Sequence, residues 1–196
     1  LMANSENSMV DARNALLGAD MVRFGGANQD LLWNAFAKRG LGEDAFSNGH
    51  TDANPVPDFT SPHADEATVT FRPTENGGTV SDAQLFVGHY QARAVPVADT
   101  NATTSLTDQV SLVPGTYEFI ARAPGRGHVR VGPVTVGAGE VLDLAVPMGI
   151  NLASAAAGAS ASGDGVNIAR LIDDNEATNW ASLGSPVAGK QVTVDL

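Results

Sequence analysis

The stretch from Gly25 to Gly42 constrains this chain more than any other. Its spacing predicts a short helix with marked ends. Asn28 stands where a side-chain oxygen can take a free N–H of the first turn. Gly40 stands where a left-handed residue closes the last turn, and Lys38 and Arg39 offset the negative end of the helix dipole. Asp30, Asn34 and Lys38 form a single polar stripe at i, i+4, i+8. The remaining faces carry Leu31, Leu32, Trp33, Ala35, Phe36 and Ala37, too much apolar surface for a helix resting on one side of a small fold. The helix is therefore expected to be mostly buried, with Trp33 in a core, inside a body larger than the neighbouring sequence provides.

A first helix is predicted over residues 8–24. Ser8 and Asp11 have the spacing of a capping box, and Val10, Leu17, Met21 and Phe24 fall on one stripe that Asn14 interrupts. Gly25-Gly26 ends it, so the two helices make an αα-hairpin.

These residues also resemble a known family. The block Asp11-Ala12-Arg13, Gly25-Gly26-Ala27-Asn28-Gln29, Leu31-Leu32-Trp33 and Phe36-Ala37-Lys38-Arg39-Gly40-Leu41-Gly42 is similar to the C-terminal helical end of fungalysin-type secreted zinc metallopeptidases. The resemblance covers roughly residues 1–48. It implies a secreted parent that hydrolyses peptide bonds with a zinc-activated water. The family's zinc signature, His-Glu-x-x-His with a downstream Glu ligand, would lie N-terminal to Leu1. No catalytic or cofactor-binding residue is accordingly assigned within this chain, and the chain is expected to be inactive alone. Leu1 is not an initiator and no signal peptide is recognisable, which gives the expectation of a fragment.

From Ser47 to Glu66 the character changes. Pro55, Pro57 and Pro62 sit among Asn, Asp, Thr, Ser and Gly, so residues 49–66 read as a semi-rigid linker between domains. Residues 67–148 then adopt a period of two, punctuated by Asn76-Gly77-Gly78, Pro114-Gly115 and Pro124-Gly125, the pattern of a small antiparallel sandwich. Within it, Leu112-Val113-Pro114-Gly115-Thr116-Tyr117-Glu118-Phe119 resembles the hairpin of carboxypeptidase-regulatory-like β-domains. Residues 151–196 resemble the first third of a discoidin-like (coagulation-factor type C) jelly roll, through Asn151-Leu152-Ala153, Ala159–Gly163, Ile168–Asp174, Thr178–Ser182 and Val192–Leu196. The expected fold class is multidomain: an α-helical hairpin ending a metallopeptidase domain (1–48), a linker, an all-β sandwich, and the start of a second β domain.

Several chemistries are excluded. A net charge of −11 with only 11 Lys and Arg, scattered, argues against nucleic acid. There is no Cys for a disulfide or thiolate site. No run approaches the 18 or so apolar residues of a membrane span. No G-x-S-x-G elbow occurs, and neither Gly25-Gly26 nor Gly77-Gly78 opens a phosphate loop. None of His50, His63, His89 and His128 has a partner at metal-helix spacing; His63 with Asp65 and Glu66 reads as solvated loop. In the discoidin-like resemblance Trp180 falls on an internal position, a sugar-stacking platform being the other reading. Asp173-Asp174-Asn175-Glu176 is the one notable polar cluster, a solvated turn or a calcium loop. Related domains hold a structural calcium before Thr-x-Trp, which carries over to Asp173, Asn175 and Thr178; Asp174 stands where relatives often have Gly. The function expected is thus the C-terminal portion of an extracellular zinc metalloendopeptidase with accessory domains for substrate or surface attachment. The alternative is a non-catalytic extracellular carbohydrate-binding or adhesion protein.

Overall fold

The computed structural model describes residues 6–91, 94–184 and 187–196. Two helices come first, α1 (Met9–Phe24) and α2 (Gln29–Ala37), and strands dominate the rest. In order these are β1 (Ala67–Glu75), β2 (Gly78–Thr79), β3 (Gln84–Val87), β4 (Ala98–Asp99), β5 (Gln109–Leu112), β6 (Gly115–Ala123), β7 (Gly127–Val136), β8 (Val141–Pro147), β9 (Ser160–Gly163) and β10 (Val192–Asp195). One sheet has the order β2-β1-β5 with β8 also on β1, a second has the order β4-β3-β6-β7, and β9 and β10 form a third. Helices followed by antiparallel β structure match the coarse expectation.

The chain divides into two compact units. The first takes in Leu1–Thr70, Gln109–Tyr117 and Pro133–Asp143; the second holds Phe71–Asp108, Glu118–Gly132 and Leu144–Leu196.

In the first unit Ser8 caps α1 with the predicted box: its hydroxyl accepts from the Asp11 N–H at 3.1 Å, and its own N–H donates to the Asp11 carboxylate at 2.9 Å. The α1–α2 turn is built on Asp20 rather than on Asn28. The Asp20 carboxylate is buried and accepts from Asn28 N–H (3.2 Å), Asn28 Nδ2 (2.7 Å) and Gln29 Nε2 (2.9 Å). Asn28 makes no side-chain cap: its amide is oriented by Nδ2 donating to the Asp20 carboxylate, a strong charged acceptor, and its Oδ1 takes no N–H of the first turn. Gly40, at φ +77°, closes α2 as expected: its N–H reaches Ala37 O at 3.0 Å and the Leu41 N–H reaches Phe36 O at 3.0 Å, a Schellman arrangement.

The burial of the hairpin departs from expectation. Of the predicted α1 stripe only Leu17 is buried; the other buried residues of α1 are Arg13 and Asp20. Arg13 donates Nη1 to Leu41 O at 3.2 Å and to Gly42 O, and its guanidinium lies 5.0 Å from the centre of the half-buried Trp33 ring. Along α2 only Ala37 is buried. Met9 (73% exposed), Val22 (80%), Phe24 (59%) and Leu31 (71%) face outward. The hairpin thus buries Arg13 and Asp20 while leaving several large apolar side chains outside.

Residues 56–61 are stitched into the same unit. Phe46 and Val56 exchange backbone bonds of 3.0 and 2.9 Å, Gly42 N–H reaches Asp58 O at 2.7 Å, and Asp58 N–H reaches Gly40 O at 3.1 Å. Phe59 is buried, meets Tyr117 edge-on at 6.3 Å, and accepts from Val113 N–H at 2.9 Å. Antiparallel register Ala67↔Leu112 to Thr70↔Gln109 joins the start of β1 to β5, and the Tyr117 hydroxyl donates to Val113 O at 2.7 Å.

In the second unit Asn76 and Gly77, at φ +49° and +82°, make the tight turn that joins β1 to β2. Both central residues need positive φ, which is why Asn-Gly stands there. β3 pairs β6 from Gln84↔Arg122 to Val87↔Phe119. Its neighbouring residues Leu85 and Phe86 are both buried, as are Phe71, Phe119, Ile120 and Val146. β7, at the end of its sheet order, continues into residues of the first unit at Pro133, whose missing N–H costs an edge strand nothing.

Candidate functional site

The richest polar constellation lies in the second unit, in an open cleft of about 450 Å³ lined by Gly127, His128, Asn151, Arg170 and the Asp173–Glu176 loop. Asp174 is its structural centre. The carboxylate accepts from Gly125 N–H at 2.8 Å, Asn151 Nδ2 at 2.7 Å and the Ser154 hydroxyl. Burial pushes this carboxyl up, but those three donors outweigh it and hold it below the usual range. Asp174 takes φ +53°, a conformation glycine adopts freely and most side chains resist. The backbone cost is borne because the side chain binds three separate parts of the chain.

Beside it, Gln91 is buried and makes a second clasp. Its N–H donates to Glu176 Oε2 (2.7 Å), its Nε2 to Asn175 Oδ1 (3.0 Å), and its Oε1 meets His128 Nε2 (2.8 Å). Burial is the largest influence on His128 and lowers its pKa, assisted by Arg122 and Arg130 and opposed by Glu176 and Asp174. Neither Gln91 nor Ser154 stood out in the sequence. Ser154 carries a weak signal, since its hydroxyl also caps the short helical turn Ala155–Ala157. Gln91 carries none.

The residues expected to hold calcium form one tight turn. The Asp173 carboxylate accepts from Asn175 N–H at 3.0 Å and from the Thr178 hydroxyl at 2.6 Å. Asn175 Oδ1 accepts from Ala177 N–H at 3.0 Å as well as from Gln91, and the Asn175 carbonyl accepts from the Thr178 hydroxyl at 3.1 Å. Trp180 is half-buried; its indole N–H donates to Asp164 O at 2.9 Å, and the ring lies so close to Gly165 that a Cβ there would meet Nε1 at 2.6 Å.

The four histidines have different neighbours. His63 Nδ1 lies 2.8 Å from Asp30, His89 pairs with Glu118, His128 with Gln91, and His50 lines an apolar groove with Phe46 and Val56. Among the described residues, no three His, Asp or Glu side chains come together in a way that could hold a metal. The zinc implied by the family resemblance thus finds no such cluster among the described residues. Among the described residues no helix is long and apolar enough to cross a membrane.

Comparison with known proteins bears on the helical part. Residues 1–45 match the model of the fungalysin metallopeptidase family (M36). An extracellular metalloproteinase of Pyrenophora tritici-repentis is 46% identical over 52 residues, which is 26% of this chain and 8% of that protein. Over 38 residues, 19% of this chain and 6% of each relative, identity is 58% to an extracellular metalloproteinase of Fusarium vanettenii and 60% to one of Arthroderma gypseum. The matched part thus spans less than a tenth of the length of these relatives.

Proposed function

We propose that this chain is the C-terminal part of a secreted fungalysin-like zinc metalloendopeptidase acting on protein substrates, with α1 and α2 as the closing helices of its catalytic domain. One observation carries the reading beyond sequence similarity: the hairpin turns Met9, Leu16, Met21, Val22, Phe24 and Leu31 outward while burying Arg13 and Asp20. Large apolar side chains contribute about 1.5–3 kcal/mol each when buried, so a helix pair of this kind gains most of its stability from a body that covers that face. So many large apolar side chains left outward on one short hairpin support a further body packed against it. Zinc, held by residues outside this chain, would polarise the scissile carbonyl and activate water. The β-regions follow as accessory parts for substrate or surface attachment: 67–148 carboxypeptidase-regulatory-like, and 151–196 the beginning of a discoidin-like domain with a carbohydrate or cell-surface ligand.

The coding sequence upstream of Leu1 gives the direct test. His-Glu-x-x-His followed by a Glu ligand, with caseinolysis of the full product abolished by a zinc chelator, is the expected result. An upstream region without that motif would overturn the peptidase and leave the adhesion protein. On the same reading the Asp173–Thr178 turn holds a structural calcium through Asp173, Asn175 and the Thr178 carbonyl; what supports it is the tight turn that gathers Asp173, Asn175 and Thr178 into one loop. Calorimetric titration with calcium tests this, and an absence of heat at millimolar calcium would refute it.

A further inference from the structure

We propose that residues 39–61 form a splint fixing β5 and the adjoining ends of β1 and β6 to the two helices, so that this strand group of the first unit is a rigid outgrowth of the catalytic domain and not a module on a tether; this rests on the peptidase reading above. Proline-rich composition alone would make this stretch a spacer. A flexible linker of the length of residues 49–66 lets its ends wander over roughly 20–25 Å.

The geometry of the first unit allows no such play. The segment leaving α2 is clamped twice by backbone pairs, Gly40 and Gly42 with Asp58, and Phe46 with Val56. Asp58 reinforces the first clamp, since its carboxylate accepts from the Thr60 hydroxyl at 2.7 Å and from Asp44 N–H at 3.2 Å. Arg13 ties the same bend to α1 through the carbonyls of Leu41 and Gly42. Two glycines let the parts approach. A Cβ on Gly42 would run into the Asp58 carboxylate and Thr60 O, and one on Gly40 would meet Pro57 Cβ at 3.1 Å. From there Phe59 carries the connection to Val113, between β5 and β6, and to Tyr117 on β6. A direct contact closes the circuit: Lys38 at the end of α2 lies against Gly115, where a Cβ would come within 2.9 Å of Lys38 Cε. The helices thus reach the strands by two routes, one through the splint and one around it.

The functional consequence differs from tethering. A tether raises the effective concentration of bound substrate without direction. A splint also fixes the line along which substrate held by those strands approaches the catalytic body, which contributes orientation as well.

The absence of Cys makes the measurement direct. Ala35 on α2 and Ser111 on β5 are both exposed, and the Ala35→Cys/Ser111→Cys chain takes two spin labels at these positions alone. Pulsed electron–electron resonance should give one distance peak no broader than the rotamer spread of the labels. A distribution some 20 Å wide, as for a free linker, would overturn the proposal. Adding Gly42→Ala should broaden the peak several-fold; an unchanged peak would refute the role of the Gly42–Asp58 clamp. Where circular dichroism shows that Gly42→Ala does not fold, Pro57→Gly replaces it with the same two outcomes. The measurement needs no activity. A missing upstream zinc motif would therefore sink the peptidase reading while leaving this result to stand or fall by itself.

Discussion

Asp174 supplies a quantitative test of how residues 151–178 are held. Its carboxylate takes donors from Gly125, Asn151 and Ser154. Hydrogen bonds to charged groups contribute about 1.5–3 kcal/mol when well buried. The cleft is open to water and the freed donors recover part of that, so we take about 1 kcal/mol for each, or about 3 kcal/mol in all. Against this stands the φ of +53°, which costs a side chain roughly 1 kcal/mol relative to glycine. Asp174→Ala loses the bonds and keeps the backbone cost, for a loss of about 3–4 kcal/mol. Asp174→Gly loses the bonds but relieves the backbone, for a loss of about 2 kcal/mol. Asp174→Asn keeps an acceptor and tolerates the left-handed region, for about 1–2 kcal/mol. The expected order of stability is Asp, then Asn, then Gly, then Ala. In a Trp33→Phe background the fluorescence of Trp180 reports the second unit alone, and urea titration yields each difference. A change of 1 kcal/mol moves the midpoint temperature by about 2–4 °C for a chain of this size, so Ala should fall by roughly 6–16 °C. Asp174→Gly equal to or more stable than the parent would show that backbone strain outweighs the clasp, and would refute the reasoning.

Three other outcomes follow. Broad-specificity limited proteolysis should cut first between Ser47 and Pro55, where the backbone is largely exposed, and only later within the paired residues 56–61; a first nick within 56–61 would contradict the clamps described. His128 has its pKa lowered by folding, so the unfolded chain binds the proton more readily, and its contribution to stability, full above the ordinary value of about 6.5, is lost as pH falls through the folded pKa. Midpoint temperatures between pH 7.5 and 5 should decline less steeply for His128→Gln, and parallel curves would refute this. The chain alone should neither cleave casein nor bind zinc tightly, and chelator-sensitive turnover by the purified chain would overturn the assignment of the zinc ligands to residues beyond it.

Features that depend on near neighbours were legible in the sequence. The Ser8–Asp11 box, the left-handed Gly40 and the Asn76-Gly77 turn each need only three or four adjacent residues, and each appears where the spacing put it. The hairpin's packing was harder to read. Periodicity shows that a face is apolar but not what it meets, and so Met21 and Phe24 were expected inside while Arg13 and Asp20 occupy that place. Asn28 shows the same limit, because Asp20, the acceptor that orients its amide, lies eight residues earlier. The Pro-rich character of residues 49–66 conceals Phe59, a single buried aromatic with no periodic companion. In the cleft, acidic residues 173–176 could be singled out by composition. Gln91, some 85 positions away, could not.

That separation has a kinetic meaning. The α1–α2 turn closes over eight residues, from Asp20 to Asn28, whereas Asp174 reaches back 49 residues to Gly125 and Glu176 reaches back 85 to Gln91. Contacts that close long loops tend to form late, after local ones have reduced the chain entropy still to be lost. Interactions absent from the folding transition state act almost wholly on the rate of unfolding. Gln91→Ala and Asp174→Ala should therefore steepen nothing on the folding limb of a chevron while raising the unfolding limb by most of the stability lost. The two clasps would then act as brakes on unfolding, setting how long the second unit stays folded and not how quickly it is made.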